Sequence, residues 1–184
     1  MTEVTPSPIL TIGHSTRAIE VFLELLRAHG VKRLVDVRTI PRSRYNPQFN
    51  SDTLAAALHA SGIAYTSNKE LGGLRHPRSD SPNTGWRNLS FRGYADYMQT
   101  PEFAAALAAL IEMAGREQTA IMCAEAVPWR CHRSLIADAL LVHGCTVAHI
   151  MSTSEAQPHS LTSFAKVRGE RILYPSVDLF WEEG

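Results

Sequence analysis

Apolar residues along this chain fall into short runs that switch between two spacings. Residues 9–12 are nearly all apolar and stop at Gly13-His14-Ser15-Thr16, after which Ile19, Phe22, Leu23, Leu25 and Leu26 recur at helical spacing until Gly30. The alternation then repeats. Leu34, Val35 and Val37 mark a second strand over residues 33–39. Leu54, Ala55, Ala57 and Leu58 mark a helix that follows Ser51-Asp52 and ends near Gly62, and residues 63–65 suit a short third strand. A short helix over residues 94–99 precedes an Ala/Leu-rich one that opens at Pro101-Glu102 and closes at Gly115. Residues 119–122 read as a buried strand, residues 134–143 as a helix closed by Gly144, and residues 146–150 as a last strand holding His149, which suits core or sheet edge. Strand alternating with helix predicts an α/β fold: a single three-layer domain over residues 1–184, with a mostly parallel central sheet and helices on both faces. Such a sheet delivers its strand ends to one edge, where ligands bind.

One stretch escapes both periods. Residues 68–93 are rich in Gly, Pro, Ser and Asn, yet carry Trp86, Phe91 and Arg75, Arg78, Arg87 and Arg92. Structureless connections this long are uncommon in compact domains, and the aromatics argue for packing, so the stretch is expected to be a lid over the site. Its mix of rings and guanidiniums also suits stacking on a base while holding a phosphate. Aromatics that merely seal the core edge are the plainer alternative. The tail after residue 152 offers Phe164, Leu173, Tyr174, Leu179, Phe180 and Trp181 for packing on the domain.

Composition narrows the class. With 184 residues, 45% hydrophobic content and zero formal net charge, the chain suits one globular domain. No apolar run approaches the roughly 20 residues that span a bilayer, so no membrane partner is expected. Three cysteines without an apolar leader predict a reducing, cytoplasmic setting rather than a disulfide framework. The cations are lopsided, fifteen arginines against Lys32, Lys69 and Lys166. Arginine suits bidentate pairing with phosphate or carboxylate; a high-GC codon bias would also enrich it.

The chemistry gathers at Cys123-Ala124-Glu125 and Cys131-His132-Arg133, between the strand over residues 119–122 and the helix after it. Thiolates and anions are favoured in the first turn of a helix. Three uses are open. Cys123 is a candidate nucleophile, with Glu125 and His14 beside it as the other catalytic groups. Cys123, Cys131 and His132 are candidate ligands for zinc or iron, although their spacing is not that of a structural zinc site. The loop can also be an internal network in which Arg133 or Arg38 holds Glu125. The order strand, cysteine, loop, arginine, helix is that of cysteine phosphatases, but Arg130 lies seven positions after Cys123, no glycine opens the loop, and Glu125 would repel a phosphate. Substrate contacts are expected from Arg38, Arg42, Ser43, Arg44, Arg133 and Trp86, with nine arginines placed on the same edge.

The set Cys123-Ala124-Glu125 and Cys131-His132-Arg133, with Thr11-Ile12-Gly13-His14-Ser15, Asp36-Val37-Arg38, Pro41 and Ser43, resembles the bacterial and archaeal family called domain of unknown function 488. The resemblance runs from about residue 9 to residue 150 and implies a compact α/β fold, with no established reaction. The reading that results is a cytoplasmic protein, a cysteine- or metal-dependent hydrolase or transferase acting on a small anionic, phosphate-bearing substrate such as a nucleotide or nucleic acid. A non-enzymatic nucleic-acid or anion-binding module is the competing reading.

Overall fold

The computed structural model describes residues 7–176. Its strands β1 (Ile9–Gly13), β2 (Arg33–Asp36), β3 (Ala64–Ser67), β4 (Thr119–Cys123), β5 (Val147–His149) and β6 (Gln157–Pro158) form one sheet in the order β3-β2-β4-β1-β5-β6. The first five run parallel, and β6 returns antiparallel to β5. Five helices pack around it: α1 (Ile19–Ala28), α2 (Ser51–Ala60), α3 (Leu89–Tyr97), α4 (Pro101–Ala114) and α5 (Arg133–Val142). The expected α/β class and mostly parallel sheet are therefore present.

Alternate residues of each strand feed opposite cores. Leu10, Ile12, Leu34 and Met122 join Phe22 and Leu26 of α1 and Leu54 and Leu58 of α2. Ile9, Val35, Ile121 and Val147 join Leu107 and Leu110 of α4 and Leu135 and Leu140 of α5. Burial on both faces is why these strands read as apolar runs rather than alternations. The chain steps outward from β1 to β2 to β3, then inward to β4, then to β5 on the far side of β1. Crossovers of one hand therefore send α1 and α2 to one face and α4 and α5 to the other. The neighbours β1 and β4 release their following segments to opposite faces, which opens a crevice at their carboxyl ends.

Element ends differ from the periodicity in instructive places. Strand β2 stops at Asp36 because that carboxylate accepts the Arg38 backbone N–H at 3.1 Å and turns the chain. Helix α3 starts at Leu89, within the stretch expected to be a lid, and the Asn88 side chain caps it by accepting from Ser90 and Phe91 N–H groups. Gly93 sits inside that helix because a Cβ there would collide with the backbone of Arg75 and His76. Strand β6 and the hairpin β7 (Lys166–Arg168) and β8 (Arg171–Leu173) were not foreseen. They are short and partly exposed, so they leave little apolar pattern. Phe164, Leu173 and Tyr174 join the core as expected, while Leu179, Phe180 and Trp181 lie outside the described residues. No helix among the described residues is long and apolar enough to cross a membrane.

Candidate functional site

The crevice between β1 and β4 is stitched by backbone. His14 N–H donates to the Cys123 carbonyl at 3.0 Å and Ser15 N–H to the Ala124 carbonyl at 2.9 Å. Gly13 touches the next stretch so closely that a Cβ would fall inside the Glu125 carbonyl. Replacing Gly13 by alanine is expected to force the 124–126 loop off the sheet at about 1–3 kcal/mol, the usual range for overpacking. A melting temperature equal to that of the parent protein would contradict this close approach.

Above that floor lies a cavity of about 320 Å³, whose walls include Arg38, Cys123, Glu125, Arg130, Cys131 and His132. The sulfur atoms of Cys123 and Cys131 are in contact, with Cα atoms 7.7 Å apart. The expectation of unpaired thiols is thus amended, and Cys145 is the free cysteine among the described residues. The Cα span exceeds the roughly 4.4–6.8 Å of most disulfides, so this backbone also suits two facing thiols. Cys131 precedes the first turn of α5, and its sulfur lies 3.5 Å from the Arg133 N–H. It also faces His132 Nδ1 at 3.6 Å.

The histidine tautomers follow from their carbonyl partners, which can only accept. His132 Nε2–H donates to the Val37 carbonyl at 3.1 Å, so the Nδ1 lone pair is the one facing Cys131. Burial, helped by the charge of Arg133, pulls the His132 pKa down to about 4 and keeps the ring neutral at pH 7. His14 Nδ1–H donates to the Ser15 carbonyl at 2.8 Å, so its Nε2 accepts from Arg38 Nη1 at 3.2 Å. Its ring stacks on Phe49. Burial first, and the Arg38 charge in the same direction, bring its pKa to about 4. Both nitrogens of His14 are occupied.

The expected anion contacts are only partly assembled. Arg38 makes a two-pronged pair with Asp36, Nε to Oδ1 at 2.9 Å and Nη2 to Oδ2 at 2.6 Å, and Nη2 also donates to the Phe49 carbonyl at 2.8 Å. With His14 on Nη1, four of its five guanidinium N–H groups are committed. Arg133 is 1% exposed; its Nη2 holds the Glu125 carbonyl at 2.9 Å, while Nε and Nη1 have no partner among the described residues. Burial lowers its pKa to about 10. Glu125 Oε1 accepts its neighbour's Ala126 N–H at 3.1 Å. Arg42 and Arg44 are exposed and Ser43 caps a turn by accepting the Asn46 N–H, and none of the three lines the cavity.

Of the nine arginines expected on this edge, Arg38 and Arg130 line the cavity. Arg78 pairs with Asp80 in solvent, Arg75 lies over the Tyr97 ring, and Arg92 donates to the Trp86 carbonyl. Trp86 packs edge-on against Phe91 and Phe164 and lines a different cavity. Cys123, Cys131 and His132 do meet. Yet among the described residues no group of three or more His, Cys, Asp and Glu side chains is arranged to hold a metal ion.

The sequence patterns did not single out Tyr94, whose ring lies 5.1 Å from that of His132, nor the apolar rim of Ile40 and Leu74. Leu74 is 69% exposed and has a left-handed backbone, φ 58°, which is unusual for leucine. Nor did periodicity reveal a buried polar chain behind α5. Thr11 Oγ1, His149, His159 and Asp138 are linked at 2.7, 2.9 and 2.8 Å, and the Tyr174 hydroxyl donates to the same carboxylate at 2.9 Å. His149, expected to be core, is buried and is the second link of that chain.

Among comparisons with known proteins, the family model described as Domain of unknown function DUF488 matches residues 18–140. No curated protein and no solved structure matches the chain.

Proposed function

Because the chain belongs to the family described as Domain of unknown function DUF488, and that description names no reaction, we propose from the site alone a thiol-dependent enzyme that transfers or hydrolyses a group on a small anionic, phosphate-bearing substrate. The contact of two sulfurs at a cavity wall, one of them at a helix start and facing an imidazole lone pair, carries this reading. In the dithiol form the Cys131 sulfur bonds to the electrophilic atom of the transferred group, and the rest of the substrate leaves with the electron pair of the broken bond. The Cys131 thiol proton passes to His132 Nδ1 as the bond forms, and negative charge on sulfur is met by the Arg133 N–H. Water or an acceptor hydroxyl then takes the group from Cys131, which returns as a thiol, and Cys123 lies beside it in the cavity wall. Arg130 and the remaining N–H of Arg38 meet the anion. Glu125, turned toward its own backbone, shapes the loop under the substrate, and His14 acts by fixing Arg38. The Gly73-Leu74 lip and Phe91, drawn from the stretch expected to be a lid, close over the apolar part of the ligand.

Alkylation of the reduced protein tests this. Iodoacetamide at pH 7 should modify Cys131 at least tenfold faster than Cys145, whose thiol burial pushes up in pKa. Peptide mapping reads both rates, and inorganic phosphate should protect Cys131 selectively. Equal rates at the two sites, unaffected by phosphate, would remove the nucleophile from the proposal.

A further inference from the structure

A second cavity of about 440 Å³ adjoins the thiol site and differs from it in chemistry. Their linings come next to each other at two places. Trp129 lines the second cavity while Arg130, its neighbour in the short 3-10 turn Pro128–Arg130, lines the first. Trp86 lines the second cavity and packs at 5.1 Å on Phe91, which lines the first.

Among the described residues no Asp, Glu, Lys or Arg lines the second cavity. Its histidines, His149 and His159, have their ring nitrogens engaged in the chain that ends on Asp138, and that carboxylate is further met by Tyr174 and by the Thr162 N–H at 3.0 Å. The charge behind the wall is therefore satisfied internally. What the cavity offers a ligand is flat apolar surface with a few hydrogen-bonding groups. The described residues leave 65% of the Trp129 surface uncovered, a large apolar area for an indole. The Trp86 ring, packed on Phe91 and Phe164, forms part of the wall. The amide of Gln157 and the hydroxyls of Ser160 and Thr162 complete a neutral polar fringe.

A ligand matching both cavities has one charged end and one neutral, planar end edged with hydrogen-bond acceptors and donors. We propose that the second cavity is a nucleobase site: the substrate is a nucleoside 5′-phosphate, free or at the end of a single strand, with its base against Trp129 and its phosphate at Arg130 in the thiol cavity. This rests on the anionic reading of the thiol site for the phosphate, and on Trp86 and Trp129 alone for the base. Stacking on an indole tolerates any base, and the fringe sets the preference among them.

Titration calorimetry on the full-length reduced protein tests it, with inorganic phosphate, the four nucleosides, their 5′-monophosphates and a 5′-phosphorylated trinucleotide as probes. At least one nucleoside should bind, and its 5′-monophosphate should bind at least tenfold tighter than either fragment. Trp129→Ala, at an exposed position that should leave the melting temperature in place, should weaken the nucleoside and the monophosphate about tenfold and leave phosphate unchanged. A trinucleotide that binds tighter than the monophosphate assigns a strand end; equal affinity assigns the free nucleotide. Nucleoside binding that Trp129→Ala abolishes, with phosphate inert, supports the base site and removes the anionic reading of the first cavity. Phosphate binding that Arg130→Ala abolishes, with no nucleoside bound, overturns the base site and leaves the first reading standing. Monophosphate affinity unchanged in Trp129→Ala also overturns it.

Discussion

Replacing Asp36 by alanine should cost the fold roughly 3–5 kcal/mol, the range observed when one partner of a buried ion pair is removed. Asp36 is fully buried and Arg38 nearly so. The carboxylate accepts two guanidinium N–H groups, the Arg38 backbone N–H and the Tyr65 hydroxyl at 2.8 Å. Without it a cation is left inside the protein with one backbone carbonyl and one imidazole. The Tyr65 hydroxyl, whose pKa the burial and the neighbouring carboxylate raise, loses its acceptor as well. Chemical denaturation of the parent and of Asp36→Ala measures the loss. The double variant Asp36→Leu with Arg38→Met should recover much of it, because the penalty lies in the unpaired charge rather than in the missing pair. A single variant within about 1 kcal/mol of the parent would show that Arg38 finds water instead, and that the ion pair is less enclosed than its geometry indicates.

Acid should unfold this protein well before its carboxylates are fully protonated. His14, His132 and His149 each have a pKa of about 4 in the folded state against 6.5 in a free chain, with burial the leading cause in all three. The unfolded chain therefore binds more protons between those values. Stability is fully present above pH 6.5 and is lost as pH falls toward 4. A shift of that size corresponds to on the order of 3 kcal/mol for each of His14 and His132. Small domains have about 5–15 kcal/mol in all, so the combined loss is a large part of the total. Urea unfolding from pH 6.5 to 4.5 should show a slope of two to three protons taken up. His132→Gln should lower that slope by about one. A flat profile across this range would mean that these imidazoles reach solvent when charged.

The parallel sheet was legible because strands buried on two faces must be apolar throughout, as in residues 119–122, and because Gly30, Gly62 and Gly144 close their helices with left-handed backbone. Helix α3 was misjudged at its start because Gly93 reads as a loop residue, when its function is to let backbone approach backbone. At the site, Cys123, Cys131 and His132 meet because one loop carries all three. The arginines were harder. A guanidinium has five donors and long reach, so whether it faces a ligand or an internal carboxylate depends on partners distant in sequence. Arg38 is spent on Asp36 and His14, and Arg133 is folded beneath the loop it holds. The chain from Thr11 through His149 and His159 to Asp138 spans separations of 138, 10 and 21 residues, which no periodicity encodes.

The position of β1 bears on how this protein can be divided. The matched span of residues 18–140 leaves out β1, which lies between β4 and β5, and it leaves out Tyr174, whose hydroxyl reaches Asp138 of α5. A fragment cut to those limits would lack a middle plank of its own sheet and expose the unmatched edge of β4, an open invitation to pair with other copies. The boundary drawn by similarity is thus not a boundary of cooperative folding, since β1 before it and β5 and β6 after it complete the same sheet.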